Sequence, residues 1–284
     1  MQVVTQAQAV QQQALAWRAA GDDVGLVPTM GALHAGHESL VRRARRENRR
    51  VVASIFVNPL QFSPGEDLAR YPRPIQRDLE VLEGLGVDAV FQPELDQIYP
   101  ASFRTHVDPG PWGEVLEGRS RPGHFRGVLT VVLKLLELAR PSRAYFGQKD
   151  AQQLLLVRQL VRDFCLPVRI VSCPTVREPD GLALSSRNAY LDPARRSSAP
   201  ALYGALRQAA QAYRDGRKDP AALERLAVEA LSGRPELELD YVALFDEATL
   251  ERPAEAGPGN VLAGAVKLGG IRLIDNVILG AEVL

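Results

Sequence analysis

Five short runs of apolar, β-branched and small residues alternate with helical patterns through the first two thirds of this 284-residue chain, and that alternation limits the fold more than any other feature. The runs are Val24 to Val27, Val51 to Val57, Val87 to Phe91, Arg143 to Phe146 and Val168 to Val171. Helical periodicity predicts helices from about Thr5 to Ala20, Glu38 to Arg50, 75 to 84, 127 to 139 and 150 to 164. Val51 to Val57 runs without polar alternation, as a strand buried on both faces does. Strands separated by helices of this length imply βαβ units and a parallel sheet covered on both sides. The expected class is therefore α/β, a Rossmann-like doubly wound parallel sheet. Ligands on such sheets bind beyond the carboxyl ends of the strands. His34, Asn58 and Gly147 each follow a predicted strand, so they are expected at one edge.

The pattern changes after about residue 175. Asp180-Gly181 is a hairpin signal between short strand-like runs. Residues 194–232 carry two helical patterns broken near Asp219-Pro220. Two strand patterns, Glu238 to Phe245 and Gly270 to Leu279, close the chain, separated by the Pro- and Gly-containing stretch 253–260. We expect a Rossmann-like domain over 1–176 and a smaller α+β lid domain over 177–284.

Charge and hydropathy narrow the functional classes. The 34 basic and 34 acidic residues balance, so no bulk attraction to nucleic acid is implied. The cluster Arg42, Arg43, Arg45, Arg46, Arg49 and Arg50 reads as a solvated helix surface. No apolar run reaches the roughly 18 residues of a spanning helix, and the amino terminus lacks the basic-then-apolar pattern of a signal peptide. Cys165 and Cys173 are too few for a disulfide framework or a metal cluster. A cytoplasmic protein that binds neither nucleic acid nor membrane is the expectation.

The most informative motif joins the Val24 strand to the next helix: Pro28-Thr29-Met30-Gly31-Ala32-Leu33-His34-Ala35-Gly36-His37. A helix amino terminus exposes unpaired N–H groups and a partial positive charge, a natural seat for phosphate. Imidazoles three residues apart, His34 and His37, share one side of that helix, and Gly36 lets a ligand approach the backbone. A surface pair or two metal ligands are the alternatives. No cysteine or carboxylate nearby completes a zinc set, so phosphate leads.

Further polar groups recur at the other junctions. Asn58 and Gln61, in Asn58-Pro59-Leu60-Gln61-Phe62, can each donate and accept, which suits a small substrate with hydroxyl and carboxylate groups. Asp78 follows Tyr71-Pro72-Arg73 and could hold a magnesium ion, or simply be a solvated helical acid. Arg121 and His124 precede an apolar helix as a second cationic cluster. Gly147-Gln148-Lys149-Asp150 supplies a close approach, a point charge for phosphate and an acid for ribose hydroxyls, with Gln153 one turn on. Ser185-Ser186-Arg187-Asn188 forms a mobile anion clamp, or a hydrophilic loop. Each segment alone is ambiguous.

In combination and order these motifs resemble the pantothenate synthetase (pantoate–β-alanine ligase) family, from about residue 21 to Arg272-Leu273-Ile274-Asp275-Asn276. Pro174-Thr175-Val176-Arg177 and Leu184-Ser185-Ser186-Arg187-Asn188 belong to the match. The resemblance is weakest in the first 20 residues and from about 195 to 260. It implies the nucleotidyltransferase fold, shared with class I aminoacyl-tRNA synthetases, and a two-step reaction. ATP and (R)-pantoate give pantoyl-adenylate and pyrophosphate, and the amine of β-alanine then takes the acyl group, releasing AMP. It implies that His34 and His37 contact ATP phosphates and that Lys149, Ser185, Ser186 and Arg187 neutralise the departing pyrophosphate. Met30, Gln61 and Gln153 hold pantoate with Asn58 nearby, and Gly147, Asp150 and Val176 hold ribose and adenine. His34, His37, Lys149 and Arg187 are the catalytic set, Met30 also borders ATP, Asp78 is the candidate magnesium ligand, and a homodimer is implied. A transferase acting on a phosphate acceptor is the main rival, which the neutral pair Asn58 and Gln61 argues against.

Overall fold

A computed structural model describes residues 1–281, which divide into two compact units. The first comprises Met1–Gly147 and Leu156–Pro174, the second Gln148–Leu155 and the described residues from Thr175 onward.

The first unit is built on six parallel strands: β1 (Gln2–Val4), β2 (Val24–Thr29), β3 (Arg50–Ile55), β4 (Ala89–Phe91), β5 (Arg143–Gly147) and β6 (Arg169–Cys173). Their order across the sheet is β1-β4-β3-β2-β5-β6. Its helices are α1 (Ala7–Ala19), α2 (Ala35–Glu47), α3 (Ile75–Gly84), the single turns α4 (Leu95–Ile98) and α5 (Glu117–Ser120), and α6 (His124–Ala139). Helix α7 (Ala151–Asp163) contributes residues to both units. Leu40, Val41 and Ala44 of α2 and Leu82 of α3 pack on Val27, Val51, Ala53, Val90 and Tyr145 of the sheet. Helices α1 and α6 contact β2 and each other, and Leu26 and Val52, facing opposite to Val27 and Val51, are as buried as they are. Both faces are thus covered, the reason the strands read as unbroken apolar runs. From β2 the order steps to β3 and β4 in one direction and to β5 and β6 in the other. The reversal lies between β2 and β5, where ligands bind in sheets of this kind.

The second unit pairs β7 (Leu237–Phe245), β8 (Val261–Leu268) and β9 (Ile271–Ile278) in one antiparallel sheet, with β8 central. Helices α9 (Ala201–Arg214) and α10 (Pro220–Ser232) cover it, and α8 (Pro193–Arg196) is a single turn. Asp219 caps α10 by accepting from Ala221 N, with Pro220 as the first helical residue.

Three features differ from expectation. Strand β8 lies where no strand is predicted, because Ala263-Gly264-Ala265 has neither alternation nor bulk. A Cβ on Gly264 would stand 3.0 Å from Leu202 Cδ1 of α9, so small residues there let the helix close down. Strand β1 extends the edge beside β4 from a segment with no strand signal. The Asp180-Gly181 turn forms, but its flanks pair only at the bridge Arg177 to Ala183. The arginine cluster is internally compensated: Arg42 pairs with Glu38, Arg43 with Glu47, Arg45 with Asp88, Arg49 with Asp22, and Arg50 with Asp22 and Asp88. Among the described residues no helix is long and apolar enough to cross a membrane.

Candidate active site

The turn leaving β2 is fixed by three anchors. Thr29 Oγ1 donates to Ser54 O at 2.7 Å and accepts from Gly31 N at 3.1 Å, tying the turn to β3. Gly31 and Ala32 then take φ of 80° and 51°, which turns two consecutive N–H groups inward. Asp78, on the first turn of α3, receives both: Ala32 N to Oδ2 at 2.7 Å and Leu33 N to Oδ1 at 2.8 Å. Asp78 is 1% exposed and pairs with no cation among the described residues. A Cβ on Gly31 would sit 2.9 Å from Asp78 Oδ2, so glycine is needed for space as well as for φ.

This turn delivers His34 to the cap of α2. His34 Nδ1 accepts from Gly36 N at 3.2 Å, and His37 Nδ1 accepts from His34 N at 3.4 Å, a reciprocal capping box made of two imidazoles. A ring nitrogen that accepts carries no proton. Both neutral rings are therefore Nε2–H tautomers, assigned from the hydrogen bonds. The ring centroids lie 4.0 Å apart, so two N–H donors stand together at the positive end of a helix.

Beside it, β3 ends and Asn58 caps the single turn Pro59–Gln61. The Asn58 amide uses every valence inside the protein. Oδ1 accepts from Leu60 N and from Tyr99 Oη at 2.9 Å, and Nδ2 donates to Gly127 O at 3.1 Å and Gln61 Oε1 at 3.0 Å. Burial raises the Tyr99 phenol above its ordinary pKa, so it stays a donor to Asn58. Gln61 is oriented in consequence, with Nε2 3.1 Å from Met30 Sδ. One N–H and one lone pair of its amide remain for a ligand.

Arg121 and His124 do not form a phosphate cluster. Glu66 takes the Arg121 guanidinium in a bidentate pair at 2.8 and 2.7 Å. Arg121 Nη1 reaches His124 Nε2 at 3.0 Å, which leaves His124 Nδ1 to donate to Gln61 O at 2.8 Å. Gly127 lets the 59–61 turn press on α6, since a Cβ there would meet Leu60 O at 2.1 Å. Gln61 is thus held through its side chain by Asn58 and through its backbone by Arg121 and His124.

In the first unit, then, Met30, His34, His37, Asn58 and Gln61 follow the adjacent strands β2 and β3, and Gly147 ends β5 beside them. In the second unit Lys149 and Asp150 lie in the turn before α7 and Gln153 on its first turn, and Lys149 makes no ion pair among the described residues. Val176 O accepts from Leu184 N at 3.0 Å, which sets Val176 beside the start of the Ser185 segment. Ser185 caps the short helix Ser186–Tyr190 by accepting from Arg187 N at 3.3 Å. Asp275 accepts from Arg177 at 2.6 and 2.9 Å, and burial lifts its carboxyl above the usual range against the pull of that guanidinium. Among the described residues no group of three or more His, Cys, Asp or Glu side chains is placed to hold a metal.

No local sequence pattern marks Tyr99 as part of the site. Asp275-Asn276 carries no assigned task in the sequence, although a consecutive acid and amide inside a buried strand is itself a signal of an internal partner.

Comparison with known proteins agrees over nearly the full length. The profile of the pantoate-beta-alanine ligase family matches residues 2–278. A pantothenate synthetase from Chloroflexus aggregans is 54% identical over 263 residues, 92% of this chain and 95% of that protein. The crystal structure of pantothenate synthetase from Thermus thermophilus superposes with a TM-score of 0.92 at 48% identity, covering 98% of this chain and 99% of the other. The pantoate-beta-alanine ligase of Francisella tularensis, solved with a βγ-ATP ligand and β-alanine, gives a TM-score of 0.81 at 36% identity with 99% of both chains covered.

Proposed function

Because this chain belongs to the pantoate–β-alanine ligase family, we propose a residue-by-residue account of how it performs that family's ATP-dependent condensation of pantoate with β-alanine. The observation that carries it is the imidazole capping box. Main-chain amides occupy both Nδ1 atoms, so His34 and His37 direct Nε2–H donors together at the start of α2. Two neutral donors on a helix terminus bind phosphate oxygens without a general base or nucleophile.

In the first step a pantoate carboxylate oxygen attacks the α-phosphorus of ATP, and the bond to the β-phosphate oxygen breaks as pyrophosphate leaves. His34 and His37 hold phosphate oxygens, while Lys149, Ser185, Ser186 and Arg187 neutralise the charge on pyrophosphate. Gly147, Asp150 and Val176 hold ribose and adenine. Gln61, Gln153 and Met30 hold pantoate. Asn58, whose amide valences are all internal, orients Gln61. Arg121, which donates to Gln61 O, is matched by the Glu66 carboxylate, so that guanidinium is not offered to a phosphate acceptor, and this favours a hydroxy acid. In the second step the β-alanine amine attacks the acyl carbon, loses a proton and displaces AMP. Positioning and electrostatics suffice for both transfers.

Asp78 does not fit the role of magnesium ligand. Both its oxygens are turned to main-chain amides beneath the turn, and no group of three or more His, Cys, Asp or Glu among the described residues surrounds a metal position. We assign it to holding the turn and read magnesium as an ion carried on ATP phosphates. We further propose a homodimer working in the cytoplasm, consistent with two unlinked cysteines, Cys165 and Cys173.

Labelled pyrophosphate tests the mechanism directly. Exchange into ATP is expected with pantoate present and β-alanine absent, and exchange indifferent to pantoate refutes the adenylate. Lys149→Ala and His37→Ala are each expected to slow it at least ~100-fold, the usual effect of losing one preorganised donor. Near-normal rates in both would remove them from the site.

A further inference from the structure

Two buried residues of β9, Asp275 and Asn276, have no part in the reaction as described so far. The Asn276 side chain donates both of its Nδ2 hydrogens to consecutive main-chain carbonyls, Gln148 O and Lys149 O, each at 2.9 Å. Those two carbonyls belong to the peptide planes on either side of the Lys149 Cα. Peptide units are planar, so fixing both planes fixes φ and ψ of Lys149 and hence the direction of its Cα–Cβ bond, the root from which the ammonium reaches out. The identity of residue 148 hardly enters, since the grip on it is through its carbonyl; Gln148 Nε2 adds only a longer bond to Asn276 Oδ1 at 3.4 Å.

Asn276 is itself braced. Asp275 Oδ1 accepts from Asn276 N at 2.8 Å, and Asp275 is gripped by both Nη atoms of Arg177. The Arg177 guanidinium lies 3.5 Å from the centroid of the Tyr203 ring and also donates to Gly181 O at 3.1 Å. A series of packed and charge-assisted contacts therefore runs from the α9 core to the backbone of Lys149. An amide that makes only a structural bond has no need to bracket one particular Cα.

We propose that Asn276 is a positioning residue for adenylation, which aims the Lys149 ammonium at the departing phosphates by clamping the peptides on both sides of it. This rests on the reading of Lys149 as the phosphate cation. Asn276→Ala, in the full-length protein, is expected to lower kcat for pantoate-dependent pyrophosphate exchange about 10- to 50-fold, as misplacement of a charged group does. Pantoate KM is expected to stay within about 2-fold, because Met30 and Gln61 lie in the first unit and Gln153 is set by the regular helix α7, beyond the clamped peptides. In a Lys149→Ala background the same change is expected to alter kcat by no more than about 2-fold, the non-additivity of two residues acting as one. Circular dichroism establishes folding, and if Asn276→Ala does not fold, Asn276→Ser, with one shorter donor, takes its place with an expected loss of at least ~5-fold. Undiminished kcat in a folded variant, or losses that multiply with Lys149→Ala, overturns the proposal. The two failures are separable: a slow Lys149→Ala with a normal Asn276→Ala refutes the clamp alone, whereas a normal Lys149→Ala refutes the phosphate lysine and the clamp together.

Discussion

Each unit carries one deeply buried carboxylate behind the segment that bears its candidate ATP groups, and the two are neutralised in different ways. Asp78 in the first unit is met by two main-chain amides, Ala32 N and Leu33 N, at the first turn of its own helix. Asp275 in the second is met by a guanidinium, Arg177, and by Asn276 N. No substitution short of proline removes a main-chain N–H, so the Asp78 arrangement is part of the backbone path itself. A guanidinium is a side chain, and the Asp275 arrangement is a pair that could be exchanged whole. One carboxylate shapes a turn, and the other anchors a strand that reaches the next turn.

The largest expected effect exploits this difference. Asp275→Leu or Arg177→Met alone leaves one buried charge without its partner and is expected to destabilise by roughly 3–5 kcal/mol in urea unfolding. The double variant Arg177→Met with Asp275→Leu is expected to lose less than either single change, because no isolated charge remains and Met can still pack on Tyr203. Additive losses would show that the pair contributes no coupling and would end the comparison.

Asp78 offers no such rescue. Asp78→Asn keeps the shape but points an NH2 at one of two inward N–H groups, so one amide loses its acceptor; a loss of about 2–3 kcal/mol is expected. Pyrophosphate exchange is expected to fall with it, since the same turn delivers His34 and His37 to the α2 cap. A variant of normal stability and exchange would mean that Gly31 and Ala32 hold their positive φ values unaided.

What was legible in the sequence follows the same division. Local patterns revealed β2, α2 and the histidine pair, because a strand, a glycine turn and a helix start all lie within fourteen residues, 24–37. The two buried carboxylates were opaque, since Asp78 serves amides 46 and 45 residues away and Asp275 meets an arginine 98 residues away. Asp78 therefore looked like a metal ligand or a solvated acid. Asn58 looked like a substrate contact until Tyr99 and Gly127 were seen to use its amide. Strand β8 escaped because a central strand under a close helix is built of small residues, which carry no period.

The smallest effect belongs to a third acid, Asp180, in the turn that leads toward Ser185. Arg196 donates to it at 2.6 Å and holds its carboxyl below the ordinary value of 3.8, but Asp180 is 44% exposed. A carboxylate depressed in the folded state stabilises at pH values above its unfolded value, and that contribution is lost as pH falls through the lower folded value. Solvent and salt screen an exposed pair, so Asp180→Asn is expected to change stability at pH 7 by less than about 0.5 kcal/mol. The difference from the unsubstituted protein should shrink further in about 1 M salt, and it should vanish once pH lies below the folded value, where both forms are neutral at residue 180. A loss approaching that of Asp275→Leu would mean that exposure does not separate these acids, and that the turn before Ser185 is held as firmly as the strand behind Lys149.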